Sequence, residues 1–228
     1  LLTFNLSQMN NPEDLVAALH KVRDSGLKGR LPFAFFDEFD SRLGTEDLGW
    51  LKYFLTPMQD GTFTDKQGHI HQTGRALFIF AGGTSSSMGE FKKGILLENG
   101  ERDAAASISC KHPDFVSRIK GYINVMGPDG TRPGGMLHYF RRATLLRKML
   151  ERKFSVSGKD RIEIEDNVLT AFLKAEKYYN GSRSLQAIVE LSDLPKHGPL
   201  RGSNIYLDDT LGLYVSPDFV DYLKGHLS

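Results

Sequence analysis

The sequence predicts an α/β fold, with a parallel-sheet core over residues 1–130, a small α-helical domain over 131–192 and a C-terminal extension of unassigned role over 193–228. Three observations predict it. Two short, Phe-rich apolar runs, Leu31–Phe36 and Ala76–Ala81, each end in polar residues, as strands buried on both faces do. A helix signal separates the first of them from an alternating stretch, Leu2–Ser7, which makes strand–helix–strand, one crossover unit of a parallel sheet. Beyond Gly130 the apolar residues recur at helical spacing as far as Leu191.

Each element has a local cause. Asn11 suits an N-cap, Pro12 the first helical position, and Glu13 and Asp14 the positive end of the dipole; Leu15, Leu19 and Val22 mark the apolar side and Gly26 the end. The strand Leu31–Phe36 then delivers Asp37 and Glu38 to the carboxyl rim of the sheet, where ligands bind in open parallel folds. An aspartate there can hold Mg²⁺ through water, and a glutamate can orient and deprotonate an attacking water. A helix is expected over Glu46–Pro57 with Leu48, Leu51, Phe54 and Leu55 on one side. Asp60-Gly61 is a turn signal, and Thr62, Phe63 and Ile70 suit a short hairpin. His69 and His71, on one side of that hairpin, read as solvated rather than as metal ligands.

The second buried strand ends in Gly82-Gly83-Thr84-Ser85-Ser86-Ser87, so Thr84 reaches the same rim as Asp37 and Glu38. Its glycines, with Gly89, invite a phosphate-loop reading, but no G-x-x-x-x-G-K-[ST] spacing exists in the chain. Between Glu90 and Cys110 only the basic pair Lys92-Lys93 and an alanine-rich run stand out. A short helix carrying Phe115 and Ile119 inward is expected next, then Arg118 and a strand at Tyr122–Val125. Pro128-Asp129-Gly130 and Pro133-Gly134-Gly135 make a turn-rich join to the helical part. There Leu137, Phe140, Leu145, Met149 and Leu150 line one side of a helix reaching Phe154, with Arg141, Arg142, Arg147 and Lys148 on the other. A second helix starts at Glu165–Asn167 and is expected to end near Asn180-Gly181, and a third starts at Gly181-Ser182-Arg183. A hairpin-like pair, Asn204–Asp208 and Gly212–Val215, and a short helix complete the chain.

Composition narrows the function classes. With 29 Lys+Arg against 28 Asp+Glu, charge gives no case for nucleic acid or a membrane surface. The single cysteine, Cys110, excludes an internal disulfide and is compatible with a reducing cytoplasm, the expected compartment. No apolar run approaches the ~18 residues of a membrane span, and the first residues lack a charged region and cleavage site. The chain opens without methionine, at Leu1-Leu2-Thr3-Phe4, and is expected to be a piece of a longer protein.

Several of these stretches resemble one family. Phe35-Phe36-Asp37-Glu38-Phe39-Asp40-Ser41 resembles the Walker B strand of AAA+ ATPases, and Leu55 to Asp65, with its Asp60-Gly61 turn, is similar to the segment before the next core strand in the Clp-like branch. Thr84 stands where that family places its sensor 1 residue, and Arg118, ahead of a strand-like stretch, stands where it places an arginine finger. Gly181-Ser182-Arg183-Ser184-Leu185 resembles sensor 2. In order and spacing the motifs cover residues 2–192. The resemblance implies a P-loop-NTPase-like core with a helical lid, and an ATPase that takes ATP and Mg²⁺. It also implies a ring homo-oligomer, expected to be hexameric, that moves a macromolecule of unidentified kind. By the same resemblance Glu38, Thr84 and Arg118 are catalytic, Asp37 and Arg183 serve the nucleotide, and Asp37 serves the metal through water. One departure from the family is serious: the chain contains no Walker A loop. In the family that loop precedes the segment matching Leu1, and its strand lies between those matching Leu77–Ala81 and Tyr122–Val125, so residues 1–228 alone are expected to be inactive. Two other readings are a non-catalytic AAA+-like assembly module and a nucleic-acid-remodelling ATPase. Retention of Glu38 and Arg118 argues against the first; balanced charge and the lack of a basic, aromatic stripe argue against the second. Between Ser7 and Asn11 there is no aromatic-apolar-Gly pore loop, which argues against threading of a protein chain.

Overall fold

The first forty residues fold as strand–helix–strand. In the computed structural model, which describes residues 1–96, 101–130, 135–156, 160–193, 195 and 198–227, β1 (Leu2–Asn5) leads into α1 (Pro12–Leu27) and returns as β2 (Phe33–Asp37). The helix starts where its capping chemistry dictates. Asn11 Oδ1 accepts the Asp14 amide at 3.1 Å, and Asp14 Oδ2 accepts the amides of Asn10 and Asn11. Such a reciprocal cap contributes about 1 kcal/mol.

The second apolar run forms β5 (Leu77–Ala81). It pairs parallel to β2 on the side away from β1, in the order β1-β2-β5, with Asp37 opposite Ala81. Side chains alternate across the sheet. Phe4, Ala34, Phe36, Phe78 and Phe80 share the face that meets the core. There Phe36 lies 4.8 Å from the Phe54 ring of α2 (Leu51–Gln59), edge to face, and Phe80 lies 5.1 Å from Phe115. Among the described residues the opposite face is less covered. Phe33 and Leu77 are 43% and 47% exposed, and Phe35 and Ile79 are only partly covered. The expectation of strands buried on both faces therefore holds for one face only. Tyr122–Val125 forms no strand either: Tyr122, Ile123 and Val125 are exposed, and among the described residues the outer edge of β5 has no partner. Apolar composition makes a segment strand-like, but only a neighbour to pair its amides and carbonyls makes it a strand.

Helix α2 begins five residues later than expected. Leu43 and Glu46 exchange backbone hydrogen bonds at 3.0 and 3.1 Å, closing a tight turn over 43–46, and Leu48 takes φ 54°, so 47–50 is a further turn ahead of the helix. The hairpin is present as β3 (Thr62–Thr64) and β4 (Ile70–Gln72). The rest of the first unit consists of α3 (Met88–Phe91), the two-residue strands β6 (Ile95–Leu96) and β7 (Arg102–Asp103), α4 (Ala104–Ser109) and α5 (His112–Arg118), which buries Phe115.

Contacts divide the chain into two units, Leu1–Val125 and Met126–Ser228. The second contains α6 (Leu137–Phe154), α7 (Asp166–Lys174), α8 (Ser182–Leu191) and α9 (Asp218–Leu223) around Leu146, Leu150, Phe172, Leu185, Ile188 and Phe219. Residues beyond 192 join that core through Leu200, Ile205, Leu211, Val215, Phe219 and Leu223. The expected hairpin at 204–215 is absent. The segment makes two 3₁₀ turns, Gly202–Asn204 and Asp209–Leu213, the second capped by Asp208 accepting the Thr210 amide at 2.8 Å. The expected turn at Pro133-Gly134 lies outside the described residues.

Two further expectations are corrected together. Arg142, assigned to the solvent side of its helix, is 1% exposed, and α7 stops at Lys174 rather than near Asn180. The Arg142 guanidinium donates to the carbonyls of Leu173 (2.7 Å), Ala175 (2.6 Å) and Pro128 (2.9 Å) and to Asp129 Oδ1 (2.8 Å). Its carbon Cζ lies 4.9 Å from the centre of the Tyr178 ring. The last carbonyls of a helix need donors, and this guanidinium supplies them, letting the chain leave the helix at Ala175. Among the described residues no helix is long and apolar enough to cross a membrane.

Candidate functional site

The end of β2 is shaped by three consecutive backbone events. Asp37 Oδ1 accepts the Glu38 amide at 3.1 Å. Glu38 then takes φ 51°, in the left-handed region, and its carbonyl accepts the Ser41 amide at 3.0 Å. A side-chain-bearing residue in that region costs about 1–2 kcal/mol. The turn leaves the Glu38 side chain exposed on the rim while Phe39 and Asp40 go inward. Finally the Phe39 amide donates to the Ala81 carbonyl at 3.1 Å, tying the turn to the end of β5.

That tie brings the loop after β5 against the turn after β2. Asp40 is 6% exposed, and its Oδ2 accepts both the amide of Thr84 (2.8 Å) and its hydroxyl (2.5 Å). Gly82 is required for the approach: a Cβ there would lie 2.6 Å from the Asp40 carboxylate and 2.7 Å from the Phe39 ring. Asp37, Glu38 and Thr84 therefore belong to one rim, as the sequence suggests. Asp40, which holds them together, is the residue that sequence reasoning missed. Its only signal was the second aspartate of Asp37-Glu38-Phe39-Asp40, which is indistinguishable by pattern from a solvated turn residue.

The rim suits a hard cation through one ligand only. Asp37 is half-buried and has one oxygen engaged by the Glu38 amide. Among the described residues no group of three His, Cys, Asp or Glu side chains converges as a metal site. Mg²⁺ keeps several waters and takes one or two carboxylates plus substrate oxygens, so a water-bridged contact to Asp37 is what this donor set fits.

The two arginines stand apart from that cluster in their bonding. Arg118, the last residue of α5, donates to Gln59 Oε1 (3.1 and 2.5 Å) and to the Asp114 carbonyl (2.5 Å). Arg183 is exposed in the first turn of α8, in the second unit. Among the described residues neither arginine is paired with a carboxylate.

The hairpin histidines are not both solvated. His69 is exposed, but His71 bridges Arg23 and Asp65, with Nδ1 3.1 Å from Arg23 Nη1 and Nε2 2.8 Å from Asp65 Oδ2. A guanidinium only donates, so Nδ1 accepts and the ring proton sits on Nε2, pointing at Asp65. That bond, with the His69 amide and ring, holds the Asp65 carboxyl well below the usual carboxylate range. Burial pushes the neighbouring His20 down, helped by Arg23. With both ring nitrogens of His71 engaged, the hairpin is a structural dock on α1 rather than a metal site.

Compared with known proteins, the chain matches no family model and no curated protein.

Proposed function

We propose that this chain is the Walker B to sensor 2 part of a Clp-like AAA+ ATPase, with a P-loop-NTPase-like core and a helical lid. The observation that carries the reading is the shared rim: adjacent parallel strands β2 and β5, in register at Asp37 and Ala81, deliver a paired carboxylate and a hydroxyl loop to the same carboxyl end. Glu38 there accepts a proton from water as the water oxygen bonds to the γ-phosphorus of ATP and the bond to the bridging oxygen breaks, releasing ADP. Asp37 would hold an Mg²⁺ ion through water, and the ion would supply neutralisation of phosphate charge. Arg118 is bonded to an amide and a carbonyl and, among the described residues, to no carboxylate, which suits it to meet an anion, in this reading the nucleotide of a neighbouring ring subunit. Arg183 serves as sensor 2, its exposed cation at the head of α8.

The less covered face and the outer edge of the sheet support the same reading. Parallel sheets are covered on both faces, and here, among the described residues, Phe33 and Leu77 are exposed, Phe35 and Ile79 are only partly covered, and the outer edge of β5 is unpaired. One further strand and helix joined by a phosphate-binding loop would occupy both. Without that loop the rim presents carboxylates to a polyanion. Residues 1–228 alone should therefore show no ATPase activity and no ATP binding tighter than millimolar, since each lost charge-assisted hydrogen bond costs roughly 1.5–3 kcal/mol. Calorimetric titration with ATP and Mg²⁺ tests this, beside a longer chain that adds the upstream segment. Micromolar binding and turnover by the longer chain are expected. A longer chain with neither would refute the proposal, and micromolar binding by residues 1–228 would show the phosphate site to be elsewhere.

A further inference from the structure

We propose that Asp40 is a positioning residue that makes Thr84 an obligatory hydrogen-bond acceptor for the attacking water. The inference rests on the ATPase reading above and adds a role that no motif assigns. A carboxylate accepts and never donates, so the hydroxyl hydrogen of Thr84, 2.5 Å from Asp40 Oδ2, points at Asp40. The Thr84 amide points at the same oxygen, so the loop cannot turn about one bond without breaking the other. The hydroxyl has one hydrogen only. What Thr84 offers the rim is its lone pairs, which can receive a hydrogen from water but can give none to a phosphate oxygen.

The same geometry selects among four neighbouring hydroxyls. Thr84, Ser85, Ser86 and Ser87 are equivalent by composition. Ser87 caps α3, its Oγ accepting the Glu90 amide at 3.2 Å, whereas Thr84 is the one clamped to the turn that carries Glu38. Two acceptors, Glu38 and Thr84, match the two hydrogens of a water molecule. Holding both leaves an oxygen lone pair to meet phosphorus. The proton that leaves goes to Glu38, and the one that stays with the oxygen is held by Thr84.

The test uses the longer, ATP-hydrolysing chain with Asp40→Ala, Asp40→Asn, Thr84→Val and the Asp40→Ala/Thr84→Val double variant. Asp40→Ala and Thr84→Val should each lower kcat about 10-fold or more with KM for ATP within about twofold, because the water and not the nucleotide loses its support. The double variant should be no slower than the slower single one, since both break the same link. Asp40→Asn retains an acceptor oxygen and should recover part of the rate. An unchanged kcat in Asp40→Ala, a loss confined to KM, or multiplying effects in the double variant would overturn the proposal. The link itself is read without nucleotide in residues 1–228: each single change should lower Tm by about 5 °C, and the double by no more than about that. Additive shifts would overturn it there. A longer chain inactive as wild type would refute the ATPase reading instead, which keeps the two failures apart.

Discussion

Replacing Arg142 by Met gives the sharpest test of how the second unit is held together. Met fills much of the arginine stem's volume and removes every donor. The carbonyls of Leu173, Ala175 and Pro128 and the Asp129 carboxylate would then lose their common partner, and Tyr178 would lose the cation against its ring. The four bonds cannot simply be summed. Asp129 is 31% exposed and regains water, and it keeps the Tyr178 amide at 3.2 Å. The two carbonyls at the end of α7, Leu173 and Ala175, and that of Pro128 are costlier to leave unpaired, and breaking a buried ion pair by removing one partner typically costs 3–5 kcal/mol. We expect a loss of about 4 kcal/mol, read as a lower urea midpoint by far-ultraviolet circular dichroism. Arg142→Lys should lose about half as much, because a single ammonium cannot reach acceptors spread around a planar fork. A loss below about 1 kcal/mol for Met would refute the argument, showing that water satisfies those carbonyls without help.

Three other outcomes follow from the rim and the hairpin. Glu38→Gln should retain nucleotide binding in the longer chain and slow turnover at least 10²-fold, whereas Glu38→Gly, relieved of the left-handed strain at φ 51°, should raise stability by about 1 kcal/mol in thermal melts while abolishing turnover; a destabilised Gly variant would contradict the strain. Arg118→Ala should cut kcat about 10³-fold at unchanged affinity, and mixing it with Glu38→Gln protein should restore activity; no rescue, in a protein that stays monomeric, would exclude action across an interface. The Asp65 carboxyl is depressed in the folded state, chiefly by the His71 bond, so its stabilisation is complete above the unfolded carboxylate pKa of about 3.9 and is lost as pH falls towards the lower folded value. Asp65→Asn should therefore lower Tm by a constant amount from pH 7 down to about pH 5, with the gap closing below pH 4; a gap that widened on acidification would reverse the assignment.

Much of the fold was legible in local chemistry, because caps, turns and periodicity act within a few residues. Asn11, Pro12 and Asp14 start α1 where they stand in the chain, Asp60-Gly61 opens the hairpin, and Gly181 precedes α8. Asp37, Glu38 and Thr84 were readable as rim residues because a parallel strand that turns polar does so at its carboxyl end. What depended on distant partners was not. Arg142 was grouped by helical spacing with Arg141, Arg147 and Lys148, which are half-buried or exposed, and only the convergence of three carbonyls and Asp129 from other segments makes it a core residue. Tyr122–Val125 has the composition of a strand but, among the described residues, no strand pairs with it. Asp40 differs from a surface aspartate only in what stands 44 positions away, the amide and hydroxyl of Thr84. The sequence by itself determined the elements whose ends are set by local caps and turns, as at α1, the β3–β4 hairpin and the start of α8. The burial and pairing of polar groups were decided by tertiary structure alone, because a buried charge is tolerated only where partners from elsewhere in the chain arrive to satisfy it.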